Sequence, residues 1–116
     1  MKESTLQRSV VDYLRWAAPD DLWWTAVNPV PAKSKAAAGM SKALGMRAGV
    51  PDFIFLYQGQ ALLIELKSSK GRESPAQREM SLLAAKAAVP TFICRSVDEV
   101  AAKLSVWGVP LRAKVA

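Results

Sequence analysis

The sequence predicts an α/β domain with a mixed central β-sheet flanked by helices, in the order α-β-β-β-α-β-α. Two patterns indicate this fold class. Three stretches repeat apolar residues at helical spacing, and short apolar runs of strand length lie between them. The chain has 116 residues, of which 51% are hydrophobic, so it is long and apolar enough for a single folded domain over residues 1–116.

The first helix is predicted from an apolar stripe at helical spacing, Leu6, Val10, Leu14 and Ala17. Residues 4–7, Ser-Thr-Leu-Gln, fit a capping box that begins this helix at Ser4. Glu3 then lies just before the helix, at the head of the stripe. The apolar run 22–27 follows as a strand, in which one tryptophan ring faces the core and the other covers a sheet edge or a dimer contact.

The segment 28–50 contains two prolines, many small residues and no acid. Its cations are Lys33, Lys35, Lys42 and Arg47. We predict a flexible basic loop that holds the DNA backbone, within which residues 34–44 can form a helix on binding. The alternative is an ordinary solvated loop.

A β-hairpin is predicted at the centre of the chain. Phe53–Tyr57 is an apolar run that suits a strand buried on both faces, residues 58–60 form a short Gly-containing loop, and residues 61–67 return as the second strand. Because side chains alternate along a strand, Glu65 and Lys67 point to the same face. Asp52 begins the first strand, and pairing of the two strands can bring its carboxylate near Glu65.

Two carboxylates in an apolar sheet are costly unless their charge is compensated. A divalent cation such as Mg²⁺ compensates it, since this ion prefers hard oxygen ligands. Lys67 is then placed to orient or deprotonate a water molecule, or to stabilise charge that develops on phosphorus. The alternative is an ion pair between Glu65 and Lys67 on a solvated strand face, with Asp52 as a turn residue.

The last third of the chain predicts a loop, a helix, a strand and a closing helix. Lys70 and Arg72 make the loop basic beside the proposed site. The next helix begins at Ser74, where Gln77 completes a capping box, and buries a stripe of Ala76, Met80, Leu83, Ala84 and Ala87. The run 89–94 is the last core strand, and a third capping box begins the closing helix at Ser96.

Composition excludes several kinds of chemistry. There is no histidine and Cys94 is the only cysteine, so histidine catalysis, a Cys/His zinc site and an intrachain disulfide are excluded. The net charge of +6 fits binding to nucleic-acid phosphates. No apolar stretch reaches the length of a membrane span, and the polar N-terminus does not fit a secretory signal, so we expect a cytoplasmic protein.

Pro51-Asp52 followed by Glu65-Leu66-Lys67 resembles the signature of the PD-(D/E)xK nuclease superfamily. A larger pattern adds Glu3 and Gln7 at the start, Gly49-Val50 before Pro51, Ser74-Pro75-Ala76-Gln77, and Trp107-Gly108-Val109-Pro110. Together these motifs resemble the VRR-NUC (virus-type replication-repair nuclease) family. The resemblance spans nearly the whole chain, as in stand-alone members from phages and prophages.

The resemblance implies a restriction-endonuclease-like core and phosphodiester hydrolysis with Mg²⁺ or Mn²⁺. The implied metal ligands are Asp52, Glu65, the Leu66 backbone carbonyl and, as a possible fourth, Glu3. Lys67 and Gln77 complete the implied catalytic set. The expected backbone contacts are Lys33, Lys35, Lys42, Arg47, Lys70 and Arg72. Similarity to stand-alone members further implies a homodimer that cuts branched DNA such as four-way (Holliday) junctions.

Three other functions remain open from the sequence. One is a nicking or flap-type nuclease on other structured DNA. Another is a catalytically silent DNA-binding module, although such a module has no use for paired carboxylates beside phosphates. The third is a structural partner in a phage replication or packaging complex, with the tryptophan pair and Val106-Trp107 as its adhesive surface.

Overall fold

The computed structural model describes residues 2–27 and 34–112. Its elements in chain order are α1 (Glu3–Ala17), β1 (Trp23–Ala26), α2 (Lys35–Ala43), β2 (Phe53–Tyr57), β3 (Gln60–Leu66), α3 (Pro75–Lys86), β4 (Thr91–Cys94) and α4 (Val97–Val106). The predicted α/β class with a mixed sheet and flanking helices is confirmed. None of the described helices has the length and apolar character needed to cross a bilayer.

The four strands form one sheet in the order β1-β2-β3-β4. The pairs β1–β2 and β2–β3 are antiparallel, whereas β3 and β4 are parallel and are connected through α3. Parallel pairing brings the carboxyl ends of β3 and β4 to the same edge of the sheet. Lys67, one residue beyond β3, continues the ladder there because its N–H donates to the Cys94 carbonyl at 3.1 Å.

One face of the sheet packs against α1 and α4 and forms the hydrophobic core. The predicted stripe of α1 is completely buried here, against Phe53, Phe55, Leu62 and Ile64 of the hairpin. Fully burying a side chain of this kind stabilises a fold by roughly 1.5–3 kcal/mol. The amphipathic pattern of α1 and the alternation of the hairpin therefore account for how these elements meet.

The capping box predicted at Ser4 is wrong. The N-cap residue of α1 is Lys2, which makes no side-chain capping bond, and the helix already includes Glu3. An acid in the first helical turn is favoured by the helix dipole, which explains why the helix extends over Glu3.

The segment 28–50 contains a helix that needs no DNA in order to form. Ser34 caps α2 by accepting a hydrogen bond from the Ala37 N–H, and the alanine-rich sequence that follows has high helix propensity. The helix buries none of its residues. It therefore presents its lysines to solvent, where they are accessible to DNA. The segment is not wholly irregular, because it contains this helix.

The opposite face of the sheet is only partly covered, by α3. Trp23 and Leu56 are directly opposite each other in the register of β1 and β2, yet they are 54% and 43% exposed. We call the exposed side chains of Trp23 and Leu56 the open patch. Burial of β2 on both faces was predicted wrongly, because α3 does not extend over this part of the sheet. The predicted stripe of α3 was also largely wrong, since Ala84 is its only buried residue.

Gly49 packs against the first turn of α3. It has a φ of +78°, and a Cβ atom at this position would overlap the Ala76 carbonyl group and lie 2.7 Å from the Gln77 nitrogen. We expect Gly49→Ala to lower the free energy of unfolding by about 2–4 kcal/mol, since it adds an overlap with rigid backbone to an unfavourable φ.

Gly45→Ala is the matched control for this prediction. Gly45 has a φ of +88°, but no atom of residues 2–27 or 34–112 lies within 4 Å of the added Cβ. The control therefore carries only the conformational cost of about 1 kcal/mol. Urea denaturation of both variants measures the difference, and equal losses of stability would contradict the close packing of Gly49 on α3.

Candidate active site

Asp52 is held against β3 by two hydrogen bonds. Its N–H donates to the Ile64 carbonyl at 3.1 Å, and its Oδ2 accepts from the Leu66 N–H at 2.7 Å. The carboxylate therefore lies on the backbone of the residue that follows Glu65. The hairpin register thus brings together the two acids that the sequence placed thirteen residues apart.

Glu65 is a buried acid, with only 1% of its surface exposed. It lies on the face of the sheet opposite the hydrophobic core, under the start of α3. Burial raises the pKa of its carboxyl to about 7, against the lowering effect of Lys67 and with smaller increases from the carboxylates of Asp52, Glu73 and Glu3. Near neutral pH this group is therefore poised between its protonated and charged forms.

Gln77 connects the capping of α3 to the position of Glu65. Its backbone N–H donates to the Ser74 hydroxyl at 3.2 Å, and its Oε1 accepts from the Ser74 N–H at 2.8 Å. This reciprocal capping box leaves Nε2 to donate to Glu65 Oε1 at 2.6 Å. One side chain therefore satisfies the helix terminus and orients the buried carboxylate.

Lys67 is the cation of this cluster and is only 8% exposed. Burial raises the pKa of both Asp52 and Glu65, and the charge of Lys67 opposes this increase. Among the described residues, however, no carboxylate lies within 4.0 Å of the Lys67 ammonium group, so Lys67 makes no ion pair. The alternative of a solvated ion pair between Glu65 and Lys67 is therefore wrong. A buried lysine beside one buried and one half-buried acid is instead typical of a reactive site.

Glu3 is less closely integrated than the other acids. It is exposed in the first turn of α1. The pKa of Asp52 is raised mainly by burial, the hydrogen bond from the Leu66 N–H opposes this increase, and the charge of Glu3 adds to it. Within residues 2–27 and 34–112, no three Asp, Glu, His or Cys side chains converge closely enough to hold a metal ion. A ligand role for Glu3 stays a prediction.

The chemistry of the cluster fits a divalent cation. Two carboxylates, Asp52 and Glu65, lie in a buried environment where their pKa values are raised, and one lysine supplies the nearby positive charge. A hard cation relieves this shortage of positive charge and takes the same oxygen donors. Asp52, Glu65 and the predicted Leu66 carbonyl would hold such an ion.

The predicted DNA contacts form two groups that adjoin this cluster along the chain. Lys35 and Lys42 lie on α2 and Arg47 follows it, all exposed, while Lys70 and Arg72 are exposed in the loop after Lys67. Lys33 lies outside the described residues. Both groups adjoin the site along the chain, because α2 leads to Asp52 and the second loop leaves Lys67.

Two residues near the site were missed by the sequence reasoning. Glu73 accepts a hydrogen bond from Ser81 at 3.0 Å and adds to the charge around Glu65. Arg95 donates from Nη1 to the Ser68 and Gly71 carbonyls at 2.6 and 2.7 Å. Arg95 directly follows the last core strand, a position that becomes informative only once β4 is known to run parallel to β3.

The sequence of residues 2–98 matches the family model of the VRR-NUC domain. The chain belongs to the VRR-NUC family. A solved structure described as a VRR_NUC domain protein shares the fold with a TM-score of 0.72, covering 93% of this chain and 88% of its own at 22% identity. No curated protein matches the chain by sequence. This VRR-NUC chain is thus a nuclease-type domain, and its Asp52–Glu65–Lys67 cluster lies within the matched region.

The raised pKa of Glu65 predicts a pH-dependent stability of the metal-free VRR-NUC chain. Its pKa rises from 4.5 to about 7 on folding, so the folded state holds an extra proton between these values. Protonated Glu65 therefore contributes its full stabilisation below about pH 4.5, and this contribution is lost as the pH rises through 7. The free energy of unfolding falls by ~3 kcal/mol over this range. Urea denaturation from pH 4.5 to 8 in EDTA measures it. Glu65→Gln removes this component, and identical pH profiles for both proteins would contradict the prediction.

Proposed function

We propose that this VRR-NUC protein is a metal-dependent endonuclease that cuts branched DNA, such as four-way junctions, as a homodimer in the cytoplasm. The observation that carries the proposal is the pair of acids, half-buried Asp52 and buried Glu65, with buried Lys67 beside them and Gln77 holding Glu65. A protein that only binds DNA gains nothing from acids near phosphates, because they repel the ligand. The arrangement therefore favours catalysis over a silent binding module.

The reaction proposed is hydrolysis of a phosphodiester bond. A Mg²⁺ or Mn²⁺ ion, when bound, supplies polarisation of a phosphate oxygen and activation of water. Asp52 and Glu65 would hold the ion, and the Leu66 N–H keeps the Asp52 carboxylate in its orientation. Gln77 donates to Glu65 Oε1 and thereby orients the carboxylate, which would leave the other oxygen for the ion. Lys67 orients the attacking water or stabilises the charge on the phosphate in the transition state.

The exposed lysines and arginines near the site indicate the class of substrate. Lys35, Lys42, Arg47, Lys70 and Arg72 are exposed and suited to phosphate oxygens, and Lys33 belongs to the same group by sequence. Contacts to phosphates position a protein on DNA without reading its bases. We therefore expect selection by DNA structure rather than by sequence.

The test compares cleavage of a labelled four-way junction, linear duplex and single strand with Mg²⁺, Mn²⁺ or EDTA. Metal-dependent cutting of the junction, lost in Asp52→Ala, supports the proposal. Cutting confined to the linear duplex or the single strand would keep the nuclease and reject the junction substrate. Salt-sensitive binding without cutting under either metal would favour the silent binding module.

The homodimer is supported by the open patch. Trp23 and Leu56 form adjacent exposed apolar side chains on a sheet face that α3 leaves uncovered. Exposed apolar patches commonly mark protein interfaces, and tryptophan is enriched at their centres. A second copy related by a two-fold axis would cover both patches at once, and paired sites suit paired cuts in a symmetric junction.

Replacing Trp23 by Ser is expected to convert a dimer into a monomer, halving the mass measured by light scattering. Trp16→Ser is the matched control, since Trp16 is 41% exposed on α1, away from the open patch. A monomeric parent protein would reject the homodimer. A dimer that survives Trp23→Ser would reject the open patch as its interface.

A further inference from the structure

Arg95 lies beside the proposed site although it is distant from it in sequence. Leu66 and Cys94 are partners in the parallel pair β3–β4, and the next residues of the two strands are Lys67 and Arg95. Glu65 and Ile93 are also partners and share the face that bears the site. Arg95 therefore follows β4 at the same edge of the sheet where Lys67 follows β3.

The guanidinium group of Arg95 closes the turn that leaves the site. Its Nη1 donates to the carbonyls of Ser68 and Gly71, and the Gly71 N–H also donates to the Ser68 carbonyl at 3.1 Å. The side chain is thereby held in one place despite its exposure. An arginine fixed in this way loses little additional conformational entropy when it binds a further ligand.

Most of the hydrogen-bonding capacity of Arg95 remains unused. A guanidinium carries five N–H donors, and within the described part of the chain only Nη1 makes side-chain hydrogen bonds. The ion pairs among those residues involve Arg78 and Arg112, not Arg95. Glu99 is nearby, but its carboxylate accepts from the backbone N–H of Arg95 at 3.3 Å. The charged edge formed by Nε and Nη2 therefore stays available at the surface.

We propose that Arg95 binds a backbone phosphate of the DNA substrate, beside the phosphate that is cut. Nε and Nη2 supply the two parallel donors that match a phosphate, while Nη1 keeps the 68–71 turn in place. The inference rests on the proposed function, because it assigns an additional contact to the same substrate. It also explains how the loop that carries Lys70 and Arg72 is kept next to the site.

The test measures binding of a labelled four-way junction by fluorescence anisotropy in EDTA at several salt concentrations. Arg95→Gln is expected to weaken binding on the order of 10-fold and to make the slope of log K against log salt shallower by about 0.9. Arg95→Lys should keep most of the slope but lose part of the affinity, since an ammonium lacks the paired donors.

Arg112→Gln is the matched control, because Arg112 is an exposed arginine paired with Asp20 near the far end of α1. Unchanged affinity and slope in Arg95→Gln would overturn the inference, and so would an equal loss in Arg112→Gln. A lower melting temperature of Arg95→Gln with an unchanged salt slope would also overturn it, since the role would then be structural. A parent protein without salt-dependent DNA binding would reject the proposed function itself.

Discussion

Lys67→Met should slow DNA cleavage by about 100- to 1,000-fold or more while leaving the fold intact. The methionine retains an apolar chain of similar length in a buried position, so packing is largely preserved. What is lost is the lysine whose charge opposes the increase that burial causes in the pKa of both Asp52 and Glu65. Its loss raises both pKa values further and also removes the group proposed to orient water or to stabilise phosphate charge.

Single-turnover cleavage of the labelled junction at saturating Mg²⁺ measures this loss. Lys86→Met is the control, because Lys86 is exposed in the last turn of α3, the helix that carries Gln77 at its start. Urea denaturation verifies that both variants are folded. Near-normal cleavage by Lys67→Met would remove Lys67 from the catalytic mechanism.

Glu65→Gln should separate activity from stability. We expect cleavage to fall by about 1,000-fold or more, because the substitution removes a charged oxygen donor from the proposed metal site. The variant should nevertheless be more stable than the parent at pH 8 without metal, by about 1–3 kcal/mol. Glutamine is close in shape, its amide oxygen can still accept from Gln77 Nε2, and it avoids burying a charge.

Two measurements on Glu65→Gln test whether Glu65 is a metal ligand or a structural residue. Calorimetric titration with Mn²⁺ should show binding to the parent protein and a loss of at least 10-fold in affinity for the variant. Urea denaturation in EDTA should show the gain in stability at pH 8 shrinking towards pH 5, where the parent carboxyl is protonated. A variant that is less stable at pH 8 but cleaves normally would make Glu65 a structural residue.

The hairpin and its acids were predictable because the relevant signals are local. An apolar run, a Gly-containing loop and a return run of matching length indicate antiparallel pairing, and alternation places Glu65 and Lys67 on one face. Asp52 at the start of the first run then reaches β3, where it binds the Leu66 N–H. The apolar stripe of α1 was equally predictable, because a period of 3.6 residues leaves one buried side.

The coverage of the opposite sheet face was not predictable in this way. Leu56 looks like a core residue in sequence, but its exposure, like that of Trp23, depends on where α3 crosses the sheet. The apolar stripe predicted for α3 was largely wrong for the same reason. The helix packs over the sheet mainly at its start and at Ala84, so it needs no continuous apolar seam.

Sequence alone therefore determined the type of every element except α2, together with the hairpin and the acids and lysine of the site, because these follow from the periodicity and turns of neighbouring residues. Tertiary structure decided which distant residues join them. Gln77 reaches Glu65 because α3 begins above β3, and Arg95 reaches the turn after Lys67 because β4 pairs in parallel with β3. Both contacts depend on the crossover connection, whose path is chosen by burial over the whole sheet rather than by any local pattern.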